Sequence, residues 1–121
     1  SIGQEFVIGG YTSPQGSRTG FGALLVGYYD PKGLLHYAGK VGTGYSFQTL
    51  DSVATKLARL KTERCPFKGV PKEKKAYWVR PHLVCEVEFT EWTKDGKLRH
   101  PRFKGLRTDK SAKSVKRERP K

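Results

Sequence analysis

The chain has 121 residues, of which 36% are hydrophobic, so it fits one compact domain and is too short for two. Two cysteines without a CxxC pair and three scattered histidines argue against a structural zinc site, and no apolar run is long enough to cross a membrane. The net charge of +13 favours a polyanionic partner, with nucleic acid the first candidate.

The basic residues are distributed unevenly along the chain. Residues 1–60 carry five basic and three acidic residues, whereas residues 61–121 carry 19 basic and eight acidic residues. A field of this strength favours nucleic acid as the partner, and at low salt it also favours nonspecific binding. Cys65 and Cys85 are expected to stay reduced, with Cys85 buried.

The first half of the chain predicts three strands. Glu5–Tyr11 is the first strand, and its Gly9-Gly10 pair predicts a bulge or bend of the kind that curls a sheet into a barrel. After a polar loop, Phe21–Tyr29 reads as a largely buried second strand. The turn Asp30–Gly33 then predicts a hairpin to a third strand, Leu34–Val41.

A helix is predicted from Ser46 to Glu63, after Gly42-Thr43-Gly44 breaks the third strand. Ser46 is a suitable N-cap, because its hydroxyl can accept from an amide of the first turn. One apolar stripe recurs every three or four residues and comprises Phe47, Leu50, Val53, Ala54, Leu57 and Leu60.

The remaining chain predicts two more strands and a tail. A loop rich in Pro and Lys, Cys65–Lys75, precedes the alternating strand Leu83–Phe89. An Asp-Gly turn at Lys94–Lys97 leads to the last strand, Leu98–Leu106. Ser111–Lys121 has five basic residues and no apolar period, which predicts a disordered basic tail.

Three strands, a helix and two strands are the plan of the oligonucleotide-binding (OB) fold. This fold is an all-β, five-stranded Greek-key barrel with one helix between strands three and four. We assign residues 1–110 to it and residues 111–121 to the tail. An SH3-like barrel is the alternative, but it lacks a four-turn helix in the middle.

Several residues are candidates for contact with phosphate or bases. Gly42-Thr43-Gly44, with Lys40 before it, can place backbone amides against a phosphate, although glycines also serve to leave a strand. Arg18 lies in a Gly-, Ser- and Thr-containing loop that can approach a backbone closely, whereas Lys32 reads as surface charge. Tyr77 and Trp78 can stack on bases, but we favour a packing role.

The acidic residues of the second half read as structural. We expect Glu86 and Glu88 to form the solvated face of their strand or to pair with Arg99 and Arg102 across the hairpin. No His, Ser or Cys accompanies them in a catalytic pattern.

The closing stretch, Leu98–Lys110, ends in Arg107-Thr108-Asp109-Lys110 and resembles the last signature motif, R-x-D-K, of ATP-dependent DNA ligases. Four further segments match the same family in order and spacing. They are Gln4–Thr12, Gly39–Tyr45, Trp78–Pro81 and Glu86–Trp92. The chain is therefore similar to the C-terminal OB domain of a bacterial ATP-dependent DNA ligase, of the ligase D type used in non-homologous end joining.

The resemblance implies a mechanism and partners. In such enzymes ATP and a divalent metal, Mg or Mn, serve the adenylation of a lysine, and this domain closes over the ATP. By resemblance, Arg107, Asp109 and Lys110 orient the leaving pyrophosphate, and Arg18, Lys40, Gly42, Thr43 and Gly44 are candidates for contact with DNA. The expected partners are nicked or broken duplex DNA, the adenylation domain of the same ligase and end-joining proteins, on the nucleoid in the bacterial cytoplasm.

The chain departs from a complete ligase because it has no adenylation domain and no nucleotidyl lysine. Thr93-Lys94-Asp95-Gly96 is not a K-x-D-G nucleotidyl site, because its lysine stands one place too late, and we interpret it as a hairpin turn. We expect the chain to bind neither ATP nor metal by itself and to be inactive alone. The alternatives are a stand-alone nucleic-acid-binding OB module, an architectural domain that binds through its tail, and a capping-enzyme or RNA-ligase domain.

Overall fold

The computed structural model describes residues 1–14, 16 and 20–117. Within them the strands are β1 (Ile2–Thr12), β2 (Leu24–Tyr29), β3 (Leu35–Val41), β4 (Lys61–Thr62), β5 (Ala76–Val79), β6 (Val84–Phe89), β7 (Glu91–Trp92), β8 (Leu98–Arg99) and β9 (Arg102–Leu106). The helix α1 (Phe47–Leu60) follows β3, and a 3₁₀ helix (Ala112–Ser114) follows β9.

Five strands form the barrel, in the spatial order β3-β2-β1-β6-β9, and all neighbours are antiparallel. The two outer strands meet beyond β3, where Phe103 N of β9 donates a 2.9 Å hydrogen bond to Thr43 O. The helix lies between the third and fourth barrel strands, β3 and β6. The predicted all-β OB-fold with a single helix is therefore confirmed.

The long strand β1 bends, and this lets it pair with different strands along its length. Its first half pairs with β6 and its end pairs with β5, while its register with β2 shifts between Ile8 and Gly10. This irregularity confirms the bend predicted at Gly9-Gly10, and it lets one strand turn a barrel corner.

The barrel interior is apolar and is closed by α1. Phe6, Ile8, Leu24 and Val26 from the sheet meet Leu50, Val53 and Leu57 of the helix. The predicted N-cap is confirmed, since Ser46 Oγ accepts from Thr49 N at 3.1 Å. Phe47 does not join the predicted apolar stripe: it lies in the first turn of the helix and is 87% exposed.

A second apolar cluster covers the outer face of the sheet, and we call it the outer core. Val7, Leu25, Leu35, Phe67, Val84 and Val115 form its buried part. Phe67 comes from the loop after α1, and its ring occupies space left by two glycines. A Cβ atom on Gly9 or Gly27 would lie 2.5 or 2.8 Å from that ring. The absence of side chains at these glycines of β1 and β2 therefore allows the Phe67 ring to pack directly on the sheet.

Several predicted bounds are corrected by the structure. The second strand starts at Leu24 and not Phe21, because Gly22 N and Ala23 N bond to Thr12 instead. The helix ends at Leu60, since Lys61–Thr62 pairs with the unpredicted strand β5. The predicted last strand is split into β8 and β9 at His100, whose φ of 53° turns the chain.

Residues 111–117, which the sequence predicts as the start of a disordered tail, lie against the barrel in this structure. Val115 is buried in the outer core, and its carbonyl accepts from Tyr29 N at 2.9 Å. The guanidinium of Arg117 lies 4.2 Å from the centre of the Trp92 ring. A single valine thus packs this basic segment against the outer core, and the boundary predicted at residue 110 stays a prediction. The last four residues lie outside the described part of the chain.

Candidate functional site

Arg107, Asp109 and Lys110 follow directly after β9 and form one charged cluster. Arg107 N donates to Val84 O at 2.8 Å, which fixes the start of the motif beside β6. Asp109 accepts from Arg107 through both oxygens, at 3.1 Å to Nε and 3.2 Å to Nη2. These hydrogen bonds lower the pKa of the Asp109 carboxyl and raise the pKa of the Arg107 guanidinium. Asp109 therefore orients the guanidinium plane.

Two glutamates of neighbouring strands complete this cluster, which we call the Arg107 cluster. Glu5 of β1 and Glu86 of β6 are register partners. Glu5 Oε2 lies 3.0 Å from Arg107 Nη1, and its other oxygen lies 3.4 Å from Lys110 Nζ. Glu86 Oε1 lies 3.4 Å from Arg107 Nη1. The motif cations are thus held on the barrel wall by carboxylates.

A groove of about 250 Å³ opens beside the Arg107 cluster. Its charged or titratable lining residues are Lys56, His82, Arg107 and Lys110. Lysine and arginine around a small groove offer hydrogen-bond donors and positive charge to phosphate oxygens. Lys56 from α1 and His82 before β6 were not singled out from the sequence, because only the fold brings them to the motif.

The expected cross-strand partners of Glu86 and Glu88 are corrected. Glu86 pairs with Arg107, and Glu88 lies 3.9 Å from Lys104. Arg99 instead pairs with Glu91, at 3.1 Å. The Asp95-Gly96 turn closes only the short β7–β8 hairpin, where Arg99 faces Glu91 in register. Glu88 and Arg102 are register partners, as expected, but the ion pair of Glu88 is with Lys104. Both glutamates are half-exposed, which agrees with a solvated strand face.

The glycine segment after β3 combines a structural and an accessible part. Gly44 has a φ of 101°, and a Cβ there would lie 2.3 Å from Phe103 O, so this glycine is needed to close the barrel. Gly42 and Thr43 are exposed. Lys40 is also exposed and pairs with Glu73 at 3.3 Å. Arg18 lies outside the described residues.

The remaining residues singled out in the sequence are Trp78, Tyr77 and the Thr93–Lys97 segment. Trp78 packs in the outer core with its ring centre 6.2 Å from that of Phe67. Tyr77 is 39% exposed and stacks on Tyr11 at 5.3 Å. The segment Thr93–Lys97 is a hairpin turn, closed by a 2.7 Å bond from Thr93 N to Lys97 O.

Both cysteine thiols are free, and burial raises the pKa of the Cys85 thiol to about 12. Among the described residues, no group of three His, Cys, Asp or Glu side chains could hold a metal ion. In the described part of the chain, no helix has the length and the apolar composition needed to span a membrane.

The sequence comparisons decide the family. Residues 17–110 match the family model described as the ATP dependent DNA ligase C terminal region. The chain belongs to this ligase family. It is 45% identical, over 97% of its length, to the multifunctional non-homologous end joining protein LigD of Pseudomonas aeruginosa, and it spans 14% of that protein. It is 44% identical, over 95% of its length, to the LigD protein of Mycobacterium tuberculosis strain H37Rv, of which it spans 16%.

Solved ligase structures agree with this assignment. The crystal structure of the ligase domain of M. tuberculosis LigD matches with a TM-score of 0.90 and 43% identity, over 97% of this chain and 39% of that one. A mycobacterial DNA ligase D complexed with ATP and MES matches with a TM-score of 0.84 and 42% identity, over 97% of this chain and 38% of that one. This ligase C-terminal domain therefore spans a small part of its curated relatives.

Proposed function

We propose that this chain is the OB domain of an ATP-dependent DNA ligase for end joining. In this proposal it binds nicked duplex DNA through one surface and contributes the Arg107 cluster to lysine adenylation through another. The observation that carries the proposal is the R-x-D-K motif, held at the end of β9 beside a groove lined by cations. The family match and the ATP-bound relative support it.

The residues of the Arg107 cluster fit a polyphosphate. Arg107 offers a planar set of donors, and Lys110 offers a mobile ammonium group. Asp109 accepts from Nε and one terminal nitrogen of Arg107, so it holds the guanidinium in one plane. Cations placed at the β- and γ-phosphates would offset the charge that develops on the leaving pyrophosphate. ATP supplies the adenylyl group, and a divalent metal bound elsewhere in the complete enzyme would share this charge.

Binding of a polyphosphate requires a local exchange of partners. Arg107 and Lys110 both contact Glu5. A triphosphate that approaches the groove must therefore compete with a carboxylate for the same N–H donors. The phosphate carries more charge than one carboxylate, which favours the exchange when the adenylation domain brings ATP to this face.

The DNA surface is proposed around Lys40, Gly42 and Thr43, with Arg18 and Gly44 as the other members. Lys40, Gly42 and Thr43 are exposed. Lys40 pairs with Glu73, whereas Arg107 and Lys110 pair with Glu5. Two separate surfaces suit a domain that serves adenylation with one face and DNA with another.

Two titrations of this chain, followed by NMR, test the two halves of the proposal. Nicked duplex DNA should shift signals of Arg18 and Lys40–Gly44, and tripolyphosphate should shift Arg107 and Lys110. DNA shifts confined to residues 111–121 would contradict the proposed DNA surface and favour binding through the tail. Labelling of a lysine of this chain alone by α-labelled ATP would contradict the division of roles.

A further inference from the structure

The loop before β5 forms a second basic groove that the sequence pattern did not single out. The groove has a volume of about 430 Å³ and is lined on its charged side by Lys40, Lys72, Glu73, Lys74 and Lys75. The rest of its lining is polar or small, from Thr12, Ser13 and Pro14. We call it the lysine groove. We propose that the lysine groove binds backbone phosphates of the DNA that this domain contacts, an inference that rests on the proposed function.

The charge balance of the groove leaves three cations available. Glu73 is the one acid among its lining residues, and its carboxylate already accepts from Tyr37 OH at 2.8 Å and pairs with Lys40 at 3.3 Å. Burial and Glu73 together raise the pKa of the Tyr37 hydroxyl. Lys72, Lys74 and Lys75 are exposed, and none of them has an ion-pair partner among the described residues. Unpaired lysines in a groove attract phosphate strongly.

The backbone under these lysines is fixed to the barrel at both ends. Phe67 is buried in the outer core, and Lys68 N donates to Leu35 O at 2.8 Å. At the other end, Ser13 N donates to Lys75 O at 3.2 Å, just before Ala76 pairs with Thr12. A loop held in this way needs little further ordering when a ligand binds, which lowers the entropic cost of binding.

The basic surface continues on the other side of the same loop. Lys72 also lines a neighbouring groove of about 410 Å³, whose other charged lining residues are Lys68, Lys97 and the acidic Asp95. The rings of Tyr28, His36 and Tyr37 form part of its wall. A row of cations along one loop can follow a row of phosphates, whereas a single small anion would use only one of them. The lysine groove also includes Lys40, which connects it to the DNA surface proposed above.

The test compares two triple variants with the same loss of charge. One variant removes the groove lysines (K72Q/K74Q/K75Q). The control removes exposed lysines that are scattered over the surface (K32Q/K94Q/K113Q). Binding of a fluorescein-labelled nicked duplex to the full 121-residue chain is measured by anisotropy between 50 and 200 mM salt. Melting temperatures by circular dichroism check that both variants are folded.

We expect the log–log salt slope of the groove variant to flatten by about 2 to 3, because each phosphate contact contributes about 0.9. The salt slope of the control variant should flatten by less than about 1. Equal effects of the two variants, or no effect of the groove variant, would overturn the inference while leaving the proposed function intact. Absence of DNA binding by the unmodified chain would instead contradict the proposed DNA surface. A groove variant that keeps DNA affinity but loses binding to a polyglutamate peptide would assign the groove to an acidic protein partner.

Discussion

Glu5 and Arg107 lie near opposite ends of the chain, yet their side chains form a 3.0 Å ion pair on the barrel wall. The same carboxylate contacts Lys110 at 3.4 Å. Glu5 is only 17% exposed, so solvent screens these pairs less than it screens a free surface pair. One residue of the first strand therefore holds the two cations of the closing motif.

Replacing Glu5 with Gln should destabilise the domain. We expect the free energy of unfolding to fall by about 1 kcal/mol, because the network loses its shared anion. The matched control is E91Q, which breaks the exposed pair with Arg99 and should cost less than about 0.5 kcal/mol. Urea unfolding followed by circular dichroism measures both values. Equal costs for the two variants would mean that Glu5 has no special part in holding the motif.

Removing the Phe67 ring should destabilise the domain far more than replacing Glu5 with Gln. Phe67 fills the space above Gly9 and Gly27, and the F67A variant leaves a cavity that these glycines cannot fill. We expect a loss of about 3 to 5 kcal/mol in the free energy of unfolding. Val70 lies in the same loop but is exposed, so the V70A variant should change little. Denaturant unfolding compares the two, and a loss below about 1 kcal/mol for F67A would contradict the described outer core.

The segment after the closing motif should also contribute to stability. Val115 is buried in the outer core, and the V115A variant should cost about 1 to 3 kcal/mol. The K113A variant changes an exposed residue two positions away and should be nearly neutral. The comparison is made by thermal unfolding at one protein concentration. If V115A were as stable as K113A, residues 111–117 would behave as the tail that the sequence predicts.

Stability at low pH should depend on Asp30. The pKa of the Asp30 carboxyl is lowered to about 2, mainly by a hydrogen bond with the His36 ring and also by one from Leu34 N. Because the folded-state pKa lies below the usual 3.8, this carboxylate stabilises the fold above about pH 4, and the contribution is lost as the pH falls towards 2. The D30N variant should therefore lose less stability than the unmodified chain between pH 4 and pH 2.

This pH dependence is checked by urea unfolding, with the midpoint concentration measured at several pH values between pH 4 and pH 2. The control is D51N, which changes an exposed aspartate of α1 and should keep the pH dependence of the unmodified chain. Parallel curves for D30N and the unmodified chain would contradict the role given to the contact between Asp30 and His36.

The barrel was predictable from the sequence because its signals are local. Alternating apolar residues mark β6, a period near 3.6 marks α1, and Ser46 caps the helix as expected. The outer core was not predictable, since Phe67 stands in a loop rich in Pro and Lys without any period. Its partners are Gly9 and Gly27. In the sequence they indicate only bends in the strands, because their contact with the Phe67 ring forms only in the folded domain.

The candidate site was predictable in part for the same reason. The motif Arg107-Thr108-Asp109-Lys110 is visible as a continuous string, and its bidentate pair forms within three residues. Glu5 gave no signal, because its contact with Arg107 spans almost the whole chain. The lysine groove was visible only as charge, since its shape depends on β1, β3 and the loop before β5 together.

The measurement that tests the central proposal most directly is adenylation by a chimeric ligase. This chain replaces the corresponding region of P. aeruginosa LigD, with which it shares 45% identity. Formation of the enzyme–adenylate from α-labelled ATP is compared for the chimera, its R107A variant and a K94A control in the exposed β7–β8 turn. We predict that the chimera and K94A form the adenylate at similar rates and that R107A is slower by about 100-fold. An R107A chimera that is folded and forms the adenylate as fast as K94A would contradict the role of the Arg107 cluster.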